Sequence, residues 1–312
     1  MPNSKCLGCL NEITERVINL STTDKDLQRK LLSELKEHTK RNFDTLKLPD
    51  FSTEIFQIIE EKTGTEDPFL QIKIDSNNYF LELIPKIRES LIGLSINEKL
   101  RILIQYSIAA NMVDFSTGGY TVDLAETARN LTDFPKEGLT IDDFDNLVST
   151  IEKSSTIIYL SDNCGEVVVD NLVVEFLVKE MKKEVYFGLK GSPVSNDCTL
   201  EDFKRDGLTE YATETFIVSS SFGWNLHQTS EQFNELIRKA DLLIVKGQSN
   251  YETTLNNLMR YPTFKFPPIF SILRTKCEVI TANLGVTLSS NVVKQMYPMS
   301  EEQRKSLKEI VD

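Results

Sequence analysis

Cysteine and histidine are scarce in this sequence. Its 312 residues include five cysteines and two histidines. An odd number of cysteines in a chain of this size argues against a disulfide framework. Neither His38 nor His227 belongs to an H-x-x-x-H pattern, and the Cys6 and Cys9 pair has no second C-x-x-C. The spacing of a four-cysteine zinc site is therefore missing.

Long apolar runs and an excess of basic residues are also absent. No apolar stretch reaches membrane-spanning length, and the first residues, Met-Pro-Asn-Ser-Lys-Cys, lack the apolar core of a signal peptide. Lysine and arginine number 35 against 47 acidic residues, a net charge of −12, with no concentrated basic patch. We therefore expect a cytoplasmic protein that binds neither membranes nor nucleic acid.

The glycine-rich motifs of common enzyme classes are not found either. No G-x-G-x-x-G follows a predicted strand, which argues against a dinucleotide site. The P-loop spacing and the G-x-S-x-G elbow of serine hydrolases are missing as well.

The hydrophobic pattern divides the chain into two parts. Apolar residues recur at helical spacing over 9–131, and Ser95 with Glu98 forms a capping box ahead of one apolar run. From about residue 144, short apolar runs alternate with helical stretches, which predicts an α/β fold with a mostly parallel sheet. We expect a helical subdomain over 1–140 and an α/β domain over 141–312. The predicted strands are Thr156–Leu160, Glu184–Gly188, Thr215–Val218, Asp241–Val245 and Glu278–Thr281.

A polar pair follows the first of these strands. Asp162 and Asn163 come directly after the strand, and Gly165 and a helical stretch follow them. In open α/β sheets, ligands bind outside the carboxyl ends of the strands. A carboxylate beside an amide oxygen suits a hard divalent cation such as Mg²⁺ or Mn²⁺. A simple helix N-cap is the alternative interpretation of this pair.

A second polar pair follows the next predicted strand. Asn196 and Asp197 come just before Thr199 and Asp202. Thr199 and Asp202 have the spacing of a capping box, which indicates a structural role for Asp202. The pair alone fits an Asx-turn. Two such pairs in successive strand–helix loops favour a shared cation site.

A lysine and a glycine turn end the fourth predicted strand. Lys246 and Gly247 precede a helix in which Asn250 lies in the first turn. An ammonium group and helix N-terminal amides together can hold a phosphoryl oxygen. Lys276, just before the last predicted strand, is a second candidate, although taken alone it is better explained as a solvated surface lysine.

The end of an apolar helix supplies a further candidate pair. Asn111 and Asp114 precede two glycines in the stretch Asn-Met-Val-Asp-Phe-Ser-Thr-Gly-Gly. They either end the helix without further role or form a second wall of the site.

These residues together resemble the family of metal-dependent damage-control phosphatases with an ARMT-type domain. The Cys6-x-x-Cys9 pair resembles its archaeal and bacterial branch. The matching blocks, in the family's order, are Asn111-Met-Val-Asp114-Phe, Asp162-Asn163-Cys-Gly165-Glu166, Ser195-Asn196-Asp197-Cys-Thr199, Lys246-Gly247-Gln248-Ser-Asn250-Tyr-Glu252 and Lys276-Cys.

The resemblance implies a helical subdomain packed on a three-layer α/β/α sandwich. It implies a divalent ion (Mg²⁺, Mn²⁺, Co²⁺ or Ni²⁺) held by Asp162, Asn163 and Asp197. The implied substrates are phosphate monoesters such as sugar phosphates or damaged phospho-metabolites. The loop Ser219–His227 departs from the family pattern.

We therefore predict a metal-dependent phosphomonoesterase. The ion orients or activates a water for in-line attack, and Lys246 and Lys276 clamp the phosphoryl oxygens. Glu166 is assigned as a general base or a partner of the metal ligands. The alternatives are an S-adenosylmethionine-dependent carboxyl methyltransferase, for which Gly165 offers a single glycine after the first strand, and a non-catalytic metal- or nucleotide-binding module. The predicted substrate-binding residues are Asn111, Asp114, Lys246, Gly247, Asn250 and Lys276; the predicted catalytic residues are Asp162, Asp197, Glu166 and Lys246.

Overall fold

The structure is a computed structural model that describes residues 4–43, 48–111 and 137–298. Eleven α-helices lie in these ranges. None of them combines the length and the apolar character needed to cross a membrane. The helices are α1 (Ser4–Ser21), α2 (Lys25–Asn42), α3 (Leu48–Thr63), α4 (Leu70–Ser90), α5 (Ile96–Ala110), α6 (Phe144–Lys153), α7 (Glu166–Lys179), α8 (Leu200–Arg205), α9 (Glu231–Leu236), α10 (Gln248–Arg260) and α11 (Glu278–Leu284).

A seven-stranded sheet forms the centre of the fold, in the order β1-β7-β6-β5-β2-β3-β4. The pairing of β6 with β7 is antiparallel, and the other pairings are parallel, as the alternating pattern predicts. The predicted α/β fold is therefore confirmed. The strands are β1 (Ile141–Asp142), β2 (Thr156–Leu160), β3 (Glu184–Lys190), β4 (Glu214–Ser219), β5 (Leu242–Lys246), β6 (Ile269–Arg274) and β7 (Asn291–Tyr297).

Both faces of the sheet are buried, and β2 shows why its sequence is apolar throughout. Ile157 and Tyr159 belong to the core on one face, whereas Ile158 and Leu160 belong to the core on the other. Successive side chains of a strand point to opposite faces, so a strand covered on both sides needs apolar residues at every position. Helices α4 to α8 contribute to the first core, and α9 to α11 contribute to the second.

The helical part of the chain joins the sheet through two of its helices. Helices α1 to α3 have a separate small core that includes Leu31, Leu35 and Ile55. Phe80 of α4 and most of the buried residues of α5 instead lie in the same core as β2 and β3. The division into 1–140 and 141–312 stays a prediction. Helix α5 packs against α7 and β6, and α4 packs against α7.

The last predicted strand is wrong. Glu278–Thr281 lies in α11, because Ile280, Thr281 and Leu284 are buried at helical spacing and this packing overrides the β-branched run. The sequence prediction missed β1, β6 and β7. Lys276 therefore lies between β6 and α11 and not directly before a strand. This position is at the carboxyl end of β6, which is parallel to β5.

A buried ion pair joins α4 to the α/β part of the molecule. The ammonium group of Lys73, which is fully buried, lies 2.9 Å from carboxylate oxygens of both Asp67 and Asp202. Burial alone lowers the pKa of Lys73, but the carboxylates of Asp202 and Asp67 outweigh it and the pKa is raised. Asp202 also caps α8 through Thr199, in the predicted capping box. One carboxylate thus caps the start of α8 and anchors α4.

Removal of this ammonium group should destabilise the fold strongly. We expect Lys73→Met to lower the free energy of unfolding by about 3–5 kcal/mol, since it removes the buried cation between Asp67 and Asp202 and leaves Asp202 with Arg205 alone. The exposed Lys86 on the same helix provides the control, and Lys86→Met should change stability by less than about 0.5 kcal/mol. Urea denaturation of both variants measures the difference, and equal midpoints would contradict the assignment.

Candidate functional site

The candidate site lies where the strand order reverses. β2 is flanked by β3 on one side and by β5 on the other, so the loops that follow these three parallel strands leave from one edge of the sheet. This is the crevice in which open α/β sheets bind ligands. The loops carry most of the residues predicted from the sequence.

The loops after β2 and β3 are joined by backbone pairing. Asn163 and Asp197 form an isolated antiparallel bridge. The Cys198 amide donates to the Asp162 carbonyl at 2.9 Å, and the Cys164 amide donates to the Asn196 carbonyl at 2.8 Å. The three predicted metal ligands, Asp162, Asn163 and Asp197, are therefore brought together.

Helix α4 supports this pair of loops from below. The Gly165 amide donates to Asn77 Oδ1 at 2.5 Å, and Asn77 Nδ2 donates to Asp206 at 2.6 Å. Gly165 has a φ of +87°, and a Cβ there would lie 3.1 Å from Ser76 and Phe80. The glycine is thus required by the close approach of α4. The methyltransferase alternative assigned this glycine to a turn around the cofactor, whereas the contact with α4 explains it without a cofactor.

Asn111 contacts the site from the end of α5. Its side-chain amide donates to Asp162 Oδ2 at 3.2 Å and to a carboxylate oxygen of Glu166. Asn111 and Glu166 are buried, so this amide orients two carboxylates away from solvent. Asp114, predicted beside Asn111, lies outside the described residues.

Lys246 is the centre of a buried polar network. Its ammonium group pairs with Glu166, lies 3.2 Å from Asp170 and lies 3.5 Å from the Ser107 carbonyl. Asp170 also accepts from Ser107 Oγ at 2.5 Å and from the Tyr159 hydroxyl at 2.8 Å. The three hydrogens of the ammonium group thus face three oxygens.

The charged groups of this network shift one another's pKa values. Burial by itself lowers the pKa of Lys246, but the carboxylates of Asp170 and Glu166 outweigh it and the pKa is raised. Burial, with the Glu166 carboxylate, raises the pKa of Asp170 to about 6 against the opposing effect of Lys246. Lys246 therefore stays an ammonium ion and neutralises acidic partners.

The remaining predicted residues frame the start of α10. Gly247 has a φ of +78° and lies against the Asp162 carboxylate, with no room for a Cβ. Asn250 ties two strand ends together, because its side-chain amide donates to the Ser161 carbonyl at 3.0 Å and the Lys246 carbonyl at 2.7 Å. The backbone amide of Lys276 donates to Gln248 Oε1 at 2.9 Å, which places its chain beside this helix start.

Lys190 is a site residue that the sequence reasoning missed. It ends β3, is buried, and its ammonium group lies 3.7 Å from Asp197 Oδ2. Burial lowers the pKa of Lys190, and the carboxylates of Asp197 and Asp162 only partly counteract this. The signal was present, because Lys190 is followed by Gly191 just as Lys246 is followed by Gly247.

The side chains at this edge fit a divalent cation. Within the described part of the chain, four buried carboxylates (Asp162, Glu166, Asp170 and Asp197) meet two buried lysines (Lys190 and Lys246), an excess of two negative charges. Buried charge without compensation is costly. No three His, Cys, Asp or Glu side chains of the described ranges converge as ligands, so a cation here would use an amide oxygen with the carboxylates. The predicted set of two aspartates and Asn163 has this composition.

The loop Ser219–His227 connects the site to the helical part. Trp224 is fully buried and donates through Nε1 to Thr254 Oγ1 at 3.0 Å. Asn225 Nδ2 donates to Asp50 at 2.7 Å, and the Phe222 amide donates to Thr53 Oγ1 at 3.1 Å. The loop is therefore held between α3 and α10.

Gly247 offers a test of the contact between the start of α10 and Asp162. We expect Gly247→Ala to abolish Mn²⁺ binding, because the added methyl group displaces the Asp162 carboxylate. Gly207→Ala is the matched control, since Gly207 has a φ of +65° with open space around it. The control should lose only about 1–2 kcal/mol of stability from backbone strain and keep its Mn²⁺ affinity. Calorimetric titration distinguishes the two, and equal affinities would rule out the contact.

Glu252 on α10 predicts a pH dependence of stability. Burial raises the pKa of Glu252 from 4.5 to about 7. The folded chain then retains a proton that the unfolded chain has released, so stability falls as the pH rises from 4.5 to about 7. Glu252→Gln should gain stability relative to the parent chain across this window. Urea denaturation at several pH values measures it, and the exposed Glu235→Gln variant should follow the parent chain.

Comparisons with known proteins agree with this fold. The chain is 28% identical over 283 residues to a damage-control phosphatase of Pyrococcus horikoshii, covering 90% of this chain and 93% of that protein. It is 25% identical to a damage-control phosphatase of Archaeoglobus fulgidus, covering 93% and 97% of the two chains. The crystal structure of a DUF89 family protein from Pyrococcus horikoshii superimposes with a TM-score of 0.80 at 25% identity, covering 94% of this chain and 98% of that chain. The family model described as the damage-control phosphatase ARMT1-like domain matches residues 3–292. The chain therefore belongs to the ARMT1-like damage-control phosphatase family.

Proposed function

We propose that this protein is a metal-dependent phosphatase that hydrolyses phosphate monoesters of small metabolites, such as sugar phosphates or damaged phospho-metabolites. The observation that carries the proposal is the excess of buried negative charge at the carboxyl edge of the sheet. A divalent cation offsets this charge and at the same time attracts a phosphoryl group. Membership of a family with phosphatase relatives supports the same activity.

The metal ligands in this proposal are Asp162, Asn163 and Asp197. Magnesium, manganese, cobalt or nickel ions all accept such oxygen ligands. When bound, the cation neutralises phosphate charge and orients or activates a water molecule for in-line attack. Backbone pairing between the two loops supports this assignment, because it holds the ligands together before any ion arrives.

Asn111, Glu166 and Lys246 keep the ligand side chains in position. Asn111 holds Asp162 and Glu166 through one amide group, and Lys246 neutralises Glu166 from the opposite side. Both oxygens of Glu166 are thereby occupied, which supports a positioning role more than that of a general base. A phosphoryl oxygen could reach Lys246 only by replacing one of its present partners, the Ser107 carbonyl being the most distant at 3.5 Å.

The start of α10 supplies amide donors for the substrate. Gly247 allows the backbone to approach Asp162 closely, and Asn250 fixes the helix start against the ends of β2 and β5. Helix N-terminal amides favour anions. Lys276 completes the substrate contacts of this proposal, and Asp114 lies outside the described residues.

Phosphate release from a panel of phosphate monoesters tests the proposal. We expect turnover that requires Mg²⁺, Mn²⁺, Co²⁺ or Ni²⁺ and stops when a chelator is added. Asp162→Ala and Asp197→Ala should each lower the rate by about a thousandfold or more, because the ion supplies several kcal/mol of transition-state stabilisation. Both variants should keep their fold, as measured by circular dichroism.

The exposed Asp145 on α6 gives the matched control, and Asp145→Ala should retain the parent rate. Transfer of a methyl group from S-adenosylmethionine without phosphate release would support the methyltransferase alternative instead. Binding of metal without either reaction would favour the non-catalytic alternative.

A further inference from the structure

Lys190 is a buried lysine whose hydrogen-bond acceptors are backbone carbonyls. Its ammonium group donates to the backbone carbonyls of Ser221 at 2.9 Å and Gly223 at 2.6 Å. Neither carbonyl carries a formal charge. The carboxylate of Asp197 lies 3.7 Å away, beyond the length of an ordinary hydrogen bond. The ammonium group of Lys190 thus donates to neutral carbonyls and lies beside a predicted metal ligand.

Lys246 differs from Lys190 in this respect. Its side chain is fully buried and pairs with the two carboxylates of Glu166 and Asp170. Those carboxylates neutralise the charge of Lys246. An incoming anion would have to displace one of them before it could bind the ammonium group. Of the two lysines that end strands at this edge, Lys190 is the one that donates to neutral carbonyls, which an anionic oxygen can replace.

We propose that Lys190 binds a non-bridging oxygen of the substrate phosphoryl group, the role that the sequence pattern assigns to Lys246. The proposal rests on the phosphatase function proposed above. It also assigns Lys246 to the support of Glu166 rather than to direct contact with phosphate.

An anion can compete for Lys190 on energetic grounds. Hydrogen bonds between an ammonium group and an anionic oxygen are about twice as strong as those to neutral groups. A phosphoryl oxygen would therefore replace a backbone carbonyl at little cost. A group bound next to Asp197 also lies close to any cation that this carboxylate holds.

The loop that carries Ser221 and Gly223 keeps Lys190 in place without a ligand. Asn225 and Phe222 of this loop are hydrogen-bonded to Asp50 and Thr53 of α3. The ammonium group is therefore fixed at the site before substrate arrives, which is the arrangement that stabilises a developing charge most effectively.

Two calorimetric titrations test the role of Lys190, because its removal should lower the affinity for phosphate but not the affinity for Mn²⁺. Inorganic phosphate is titrated into the protein saturated with Mn²⁺, and Mn²⁺ alone is titrated into the metal-free protein. Lys190→Met and Lys190→Gln should bind phosphate about 10- to 100-fold more weakly, as expected for a hydrogen bond to a charged group. Their affinity for Mn²⁺ should stay the same or rise, because a cation beside Asp197 has been removed.

Lys190→Arg should recover part of the phosphate affinity, and the exposed control Lys204→Met should match the parent chain in both titrations. A purely structural lysine predicts a different result. Loss of Mn²⁺ and phosphate affinity together would show that Lys190 only maintains the loop, and unchanged phosphate affinity would show that it does not contact the anion. Either result overturns the proposal.

A crystal structure of the parent protein with Mn²⁺ and phosphate avoids dependence on variants that fold poorly. We expect a phosphate oxygen within about 3.2 Å of Lys190 Nζ. Phosphate bound only at Lys276 and the start of α10 would refute the role of Lys190. A parent protein that neither binds phosphate with Mn²⁺ nor releases it from monoesters would instead refute the phosphatase function itself.

Discussion

Electrostatic repulsion among buried carboxylates is the constraint on which the site depends. Asp162, Glu166, Asp170 and Asp197 are all buried near one edge of the sheet. Each needs a donor or a cation, since an uncompensated buried charge costs several kcal/mol. Lys246 serves two of them, and amide groups of Asn111 and Asn163 serve Asp162. The fold thus supplies enough compensation to hold the acids in place while leaving net negative charge for an ion.

The sequence predicted those parts of the molecule that follow from local pattern. Four of the seven strands were located to within two residues, because β2 to β5 are short apolar runs between clear helical stretches. The capping boxes of Ser95 with Glu98 and of Thr199 with Asp202 are confirmed, since a cap needs only a few neighbouring residues. The family resemblance is confirmed as well, because it depended on ordered blocks spread over most of the chain.

The features that the sequence analysis predicted wrongly or missed depend on contacts between residues far apart in the chain. The run Glu278–Thr281 has strand-like composition, and only its burial against the second core makes it helical. The sequence analysis did not identify Lys190, because its partners, Ser221 and Gly223, are about thirty positions away. The role of Asn77 depends on a Gly165 amide from another part of the chain. Spacing within a segment carries no information about such contacts, although the repeated Lys-Gly pair after β3 and β5 was a usable sign.

The hydrogen bond between Asn77 and the Gly165 amide has a consequence for how the protein loses activity. Gly165 follows the predicted ligands Asp162 and Asn163 by two or three residues, so the loop depends on a helix that begins nearly a hundred positions earlier. Partial opening reactions of proteins release whole elements at lower cost than global unfolding. If α4 detached in this way, the loop would lose its support while the sheet and its hydrogen bonds stayed intact. The enzyme would then be switched off in a state that still has nearly all of its secondary structure, and inactivation on heating would precede melting of the sheet.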